Sequence, residues 1–124
     1  KLCIRQLRKY LTAQTRLLDV GTGSGILSIV SLLYGIREAK GTDLDPCAVD
    51  AVRDNREANH IAPEQFELLI GNIITDQQLR DRLGYHCYDI VVANILADVL
   101  VPLTPVIVDH LMPGGVYITS GIID

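Results

Sequence analysis

The sequence predicts a doubly wound α/β fold, a mostly parallel sheet with helices on both faces, and three observations carry that prediction. Short apolar runs alternate with helix-length amphipathic segments along the whole chain, as strands and crossover helices must in a parallel sheet. The first apolar run passes through Asp19-Val20-Gly21-Thr22-Gly23-Ser24-Gly25 directly into the apolar segment Ile26-Leu27-Ser28-Ile29-Val30, a strand–glycine turn–helix unit. The run Asp89 to Ala93 is continuously apolar after its first residue, as expected of a central strand covered on both faces.

Each element has its own signal. Leu2 to Leu11 carries apolar residues at helical spacing, and Arg16 to Val20 reads as the first strand. Ser24 to Tyr34 reads as an apolar helix closed by Gly35 as its C′ residue. Glu38 to Thr42 is the second strand. Asp45-Pro46 then opens a helix to about Asn59, the aspartate capping and the proline pre-setting the first turn. Val49, Ala51 and Val52 of that helix are expected toward the sheet, with Arg53, Asp54, Arg56 and Glu57 outward. Phe66 to Ile70 is the third strand and Asp76 to Leu83 a short polar helix. Asp89 to Ala93 is the fourth strand. Leu96 to Leu111 is helical but interrupted by Pro102 and Pro105, which predicts two pieces or a kink. Gly114-Gly115 turns into a fifth strand, Val116 to Ser120. The expected strand order is 3-2-1-4-5, leaving the fifth strand on an open apolar edge where self-association is a hazard.

The chain has 124 residues, which bounds it to a single domain, residues 1–124. With 48% hydrophobic and 21% charged residues it reads as an ordinary globular protein, and no apolar run is long enough for a bilayer-spanning helix. The net charge of −4 argues against a nucleic-acid surface, which needs a basic face. Three cysteines, Cys3, Cys47 and Cys87, are far apart and odd in number, so they form neither a zinc pattern nor a disulfide framework and point to a cytoplasmic protein. Starting at Lys1 and stopping at Asp124 just after a strand, the chain reads as part of a longer protein.

Ligands of open α/β sheets bind beyond the carboxyl ends of the strands, near the switch point between strands 1 and 4. Glycines at 21, 23 and 25 satisfy that rule and let a ligand approach the main chain without meeting a Cβ. A dinucleotide fingerprint from Gly21 would need a third glycine where Ile26 stands, which counts against an NAD-type oxidoreductase. Asp43 closes strand 2 about twenty residues after Gly21, the separation at which a carboxylate reaches ribose hydroxyls. Asn72 follows strand 3, and Asn94 ends strand 4 in Ala93-Asn94-Ile95-Leu96-Ala97, where an amide offers both donor and acceptor. Cys47 lacks a base or second thiol and reads as inert packing. His60, His86 and His110 read as surface or capping residues, Arg80-Asp81-Arg82 as a solvated helix face, and Tyr85 and Tyr88 as core or rim.

The segments Asp19 to Leu27, Asp43-Leu44-Asp45-Pro46, Ala93 to Ala97 and Ser120-Gly121-Ile122 together resemble the ribosomal protein L11 methyltransferase (PrmA) family, over most of the chain. The resemblance implies a class I, Rossmann-like methyltransferase domain truncated after the fifth strand, without its substrate-recognition domain and last strands. It implies S-adenosyl-L-methionine as cofactor, with Gly21, Thr22, Gly23, Asp43, Leu44, Asn72 and Asn94 as the cofactor-binding set and neither a catalytic acid–base nor a metal ligand assigned. Methyl transfer to lysine and N-terminal amines of a ribosomal protein is the implied reaction. A cofactor-binding module without activity of its own, or a methyltransferase with another nitrogen acceptor, are the alternatives.

Overall fold

The computed structural model describes residues 7–122. The strands are β1 (Arg16–Val20), β2 (Glu38–Asp43), β3 (Phe66–Ile70), β4 (Tyr88–Leu96) and β5 (Leu111–Ile122). They form one sheet of order β3-β2-β1-β4-β5, parallel at every pairing, as the sequence predicts. The helices are α1 (Ile26–Leu33), α2 (Ala48–Ala58), α3 (Gln77–Leu83) and α4 (Ala97–Val108). The helix expected from Leu2 falls largely outside the described residues; Leu7 is buried at its visible end.

Two apolar layers sandwich the sheet, and the period-2 alternation of the strands feeds both. Leu17, Ile90 and Val92 pack on one face against Ile29 and Leu32 of α1, Val52 of α2 and Phe66. Leu18, Val20, Val91 and Ala93 pack on the other against Leu79 and Leu83 of α3 and Leu103 and Ile107 of α4. Burial on both faces explains why β4 reads as a continuous apolar run.

Local chemistry sets the helix ends. Tyr34 is the C-cap of α1, and Gly35 follows at φ 97°. The Gly35 N–H donates to the Leu32 carbonyl and the Ile36 N–H to that of Ser31, the paired bonds of a Schellman motif. Helix α2 ends the same way with His60 at φ 57°, the Ile61 N–H reaching the Arg56 carbonyl. Helix α2 starts later than Asp45-Pro46 predicts: its cap is Cys47, with no side-chain capping bond. Asp45 instead accepts the Cys47 N–H at 2.9 Å on Oδ1, within the turn that leads into the helix. Asp76 caps α3 through the Leu79 N–H.

Several expectations need correction. Helix α4 is one unbroken element with Pro102 and Pro105 inside it. The carbonyls those prolines leave unbonded belong to Asp98 and Val101, both on the solvent side, where water can satisfy them while Leu103 and Ile107 hold the helix to the sheet. Val49 is 47% exposed rather than packed, because Ala48 and Val52 already occupy the inward stripe. Strand β5 begins at Leu111, paired with Tyr88, and its register shifts before Val116 meets Ile90, so Gly114-Gly115 lies within the strand. Strand β4 runs past Ala93, with Asn94 opposite Ser120, because β5 continues to pair with it. Cys47 is exposed, not packed, and its thiol is pushed up by the hydrogen bond and charge of Asp45. His110 is fully buried.

Candidate functional site

The loops beyond the carboxyl ends of β1, β2 and β3 converge on Asp43. Its Oδ2 accepts the Gly23 N–H at 2.8 Å, its Oδ1 the Asp45 N–H at 2.9 Å, and its carbonyl the Gly71 N–H at 2.9 Å. One residue thus ties together the glycine loop, the β2–α2 turn and the β3–α3 turn. The Thr42 carbonyl reinforces this by accepting both the Gly21 and Thr22 N–H groups. A carboxylate has about four acceptor positions, so each Asp43 oxygen keeps one free.

The loop's shape depends on glycine. Gly21, Gly23 and Gly25 sit at φ 72°, 57° and 81°, left-handed values that side chains disfavour. At Gly25 a Cβ would also lie 2.7 Å from Cε2 of the Phe66 ring, so the loop is packed directly onto the core.

Beneath the loop lies Asp19, 1% exposed. Its Oδ2 accepts the Thr22 hydroxyl at 2.8 Å and the Ser28 hydroxyl at 2.9 Å, while Oδ1 is buried without a partner among the described residues. Burial raises its pKa to about 6, against the lowering effect of those two hydroxyls.

A cavity of about 360 Å³ opens at this end of the sheet. Gly21, Asp43, Leu44 and Asn72 of the expected set line it, together with apolar side chains that include Ile73, Ile74, Ile95, Val99 and Leu103. Thr22 and Gly23 do not line it. Thr22 is 7% exposed and turned onto Asp19, and Gly23 contributes its N–H to Asp43. Asn94 lies in β4 beside Ile95, and its side chain falls outside what the structure describes. Asn72 turns its Oδ1 to the Ile74 N–H at 2.9 Å, which leaves its Nδ2 donors free of that turn.

Two contributors escaped the sequence reading. The buried position of Asp19 was legible only as part of the glycine motif; hydroxyls at Thr22 and Ser28, three and nine residues on, were the available signal. Arg80 does not belong to a solvated face, since its guanidinium binds the carbonyls of Ile73 and Ile74 behind the cavity wall. Asp81 and Arg82 are exposed as expected. Among the described residues no cluster of histidine, cysteine and carboxylate is arranged to hold a metal.

A wholly parallel sheet ordered 3-2-1-4-5, with a glycine loop after β1 and an acid ending β2, defines the Rossmann-like methyltransferase fold. The structure of a ribosomal protein L11 methylase from Lactobacillus delbrueckii subsp. bulgaricus superposes with a TM-score of 0.83 at 31% identity, covering 98% of this chain and 58% of that one. A methyltransferase from Thiobacillus denitrificans, solved with S-adenosyl-L-homocysteine, shares the fold at a TM-score of 0.74 and 18% identity, covering 95% of this chain and 47% of that one.

The family model for ribosomal protein L11 methyltransferase (PrmA) matches residues 1–124. Proteins of that name from Lachnospira eligens and Agathobacter rectalis are 54% and 51% identical across all of this chain. The chain belongs to the ribosomal protein L11 methyltransferase family. It spans 39% of the length of those two relatives.

Proposed function

We propose that the cavity beyond β1, β2 and β3 binds S-adenosyl-L-methionine and that the protein transfers its methyl group to amines of a ribosomal protein, at lysine side chains and the N-terminus. The observation that carries this reading is Asp43, which borders the cavity with one acceptor position free on each carboxylate oxygen. A vicinal ribose diol needs two such acceptors, and charged acceptors make the bonds strong. Gly21 leaves room for an amino-acid tail to approach the main chain, with Asn94 assigned to the same end by the family resemblance. Thr22 and Gly23 act through the loop they shape, and Leu44 and Asn72 flank the nucleoside. The volume lies within the range of small-ligand sites.

When bound, the cofactor supplies an electrophilic methyl: the amine lone pair forms the new C–N bond while the C–S electron pair returns to sulfur, leaving S-adenosyl-L-homocysteine. The chain's own task is to make and hold a neutral amine. A free lysine has a pKa near ~10.4, so its neutral form at pH 7 costs about 4–5 kcal/mol. The apolar wall of Ile73, Ile74, Ile95, Val99 and Leu103 excludes water and disfavours the ammonium. Asp43 is the sole ionisable residue among the described lining residues, and ribose would occupy it, so the amine gives its proton to bulk water before the apolar wall encloses it. Alignment then lowers the barrier further.

The chain's share of its relatives' length favours a division of labour in which this domain carries the cofactor and another part of the protein presents the ribosomal substrate. Among the described residues the outer edge of β5 pairs with no strand and offers a place for a further strand or a second copy, which sedimentation of the 124-residue piece distinguishes. Incubating the intact protein and this piece with methyl-labelled cofactor and purified ribosomal protein L11 tests the reaction. Label on lysine and N-terminal amines with the intact protein, and none with the piece, is expected. Label on no nitrogen of the substrate overturns the reading.

A further inference from the structure

We infer that Arg80 is a positioning residue for the nucleoside side of the cavity, acting through the backbone of the β3–α3 turn; this rests on the proposal that the cavity takes S-adenosyl-L-methionine. Nη1 of Arg80 donates to the Ile73 carbonyl at 2.9 Å and to the Ile74 carbonyl at 2.7 Å. Nη2 donates to Gln77 Oε1 at 2.8 Å. Gln77 is itself held, its Nε2 reaching Asp81 Oδ1 at 2.8 Å and the Tyr85 hydroxyl at 3.0 Å. The guanidinium is therefore fixed on one side by α3 and fixes two consecutive carbonyls on the other.

Those carbonyls belong to the turn that walls the cavity. Gly71, Asn72, Ile73 and Ile74 all line it. The turn's internal bonds run from the Thr75 and Asp76 N–H groups to the Asn72 carbonyl, and from the Ile74 N–H to Asn72 Oδ1. They set the path of the chain around Asn72 but leave the carbonyls of Ile73 and Ile74 to Arg80. Holding those two oxygens outward keeps the Ile73 and Ile74 side chains on the cavity side and keeps Asn72 Oδ1 committed to the turn. The Asn72 Nδ2 donors then stay free of the turn beside the one remaining acceptor position of Oδ1, so the wall presents a fixed amide flanked by apolar surface, matching the polar edge of a purine base. A planar fork with separately directed donors suits two carbonyls and an amide oxygen together; a lysine offers its donors from one atom. Gly21 and Ile95, which also line the cavity, belong to other elements, and none of the Arg80 hydrogen bonds among the described residues reaches them.

The test compares wild-type intact protein with R80A, R80K and R82A, measuring calorimetric affinity for S-adenosyl-L-homocysteine and for 5′-methylthioadenosine, which lacks the amino-acid tail, alongside kcat and KM. R82A is the control, since Arg82 is exposed and makes only a 3.8 Å ion pair with Glu67. R80A is expected to weaken both ligands by about tenfold, equivalent to about 1.4 kcal/mol, with R80K between it and wild type. KM for the cofactor should rise in parallel while kcat stays within about twofold, because a loss confined to cofactor binding leaves the chemical step intact. A purely structural role would lower kcat with the active fraction and leave KM unchanged, and that result overturns the inference. So does wild-type affinity in R80A, or in R80K should R80A fail to fold. Wild-type protein that binds neither compound overturns the cofactor reading itself, and the inference with it.

Discussion

At the carboxyl end of the sheet Asp19 lies 1% exposed beneath the glycine loop, and at the amino end His110 lies fully buried between α4 and β5. Each is an ionisable side chain inside the core with one polar atom unpartnered among the described residues, Oδ1 of Asp19 and Nε2 of His110. Their surroundings differ in kind. Asp19 binds hydroxyls of the loop and of α1, so its bonds shape the segment that borders the cavity. The His110 Nδ1 meets the Gly84 carbonyl at 2.6 Å, and its ring stacks on Tyr85 at 5.1 Å, closing the turn between α3 and β4. Burial disfavours the charged form of both, pushing the aspartate up and the histidine down. One physical cause therefore gives opposite pH dependences at the two ends. The end that borders the cavity accepts a buried acid at a cost in stability, whereas the other end uses its polar group to seal a turn.

The largest expected effect probes how tightly the carboxyl end is coupled to the core. Gly25→Ala combines a left-handed φ of 81° with a Cβ 2.7 Å from the Phe66 ring, and should cost about 3–4 kcal/mol by urea unfolding. Gly23→Ala shares the positive φ of 57° but meets nothing within 4 Å, and should cost only about 1 kcal/mol. Equal losses for the two would mean that the Phe66 contact does not matter.

Next in size is the pH dependence from Asp19. Its folded pKa of about 6 exceeds the ordinary 3.8, so the folded state holds the proton more tightly. Its contribution to stability is therefore greatest below pH 3.8 and declines as pH rises through about 6. The decline amounts to about 3 kcal/mol. Asp19→Asn should remove that slope, and an unchanged slope between pH 4 and pH 6 would separate Asp19 from it. His110 runs the other way. Its folded pKa is depressed below 6.5, so its contribution is complete above that pH and is lost as pH falls through the folded value. His110→Ala should cost about 2 kcal/mol at pH 7.5, through the lost ring contacts and the unpaired Gly84 carbonyl, and should leave cofactor affinity unchanged. The smallest effect lies at the end of α2, where His60 takes the left-handed position that glycine usually fills. His60→Gly should raise stability by about 0.5–1 kcal/mol in thermal unfolding, because it relieves that backbone strain.

The same contrast marks what the sequence disclosed. Strand order, the glycine turn and the acid ending β2 were legible because they depend on short-range pattern: apolar period, glycine spacing and the residue that closes a strand. Buried polar groups depend on which distant segments meet. His110 looks like a surface residue next to Asp109, and only the fold brings Gly84 and Tyr85 over it. Arg80 looks solvated beside Asp81 and Arg82 until the β3–α3 turn folds back on its own helix. Pro102 and Pro105 predicted a broken helix because propensity carries no information about which carbonyls face water. At the site, Asp43 was legible as the acid that closes β2 about twenty residues after the glycines, but its threefold grip on the surrounding loops was not.

The central claim is that Asp43 and the loops it ties form the cofactor site. Calorimetric titration of S-adenosyl-L-homocysteine into the intact protein and its Asp43→Ala and His110→Ala variants tests it most directly. One binding site is expected in wild type, with affinity retained in His110→Ala and weakened by about two orders of magnitude, or about 2.7 kcal/mol, in Asp43→Ala. Equal affinity in wild type and Asp43→Ala, or no binding by the wild-type protein, would contradict it.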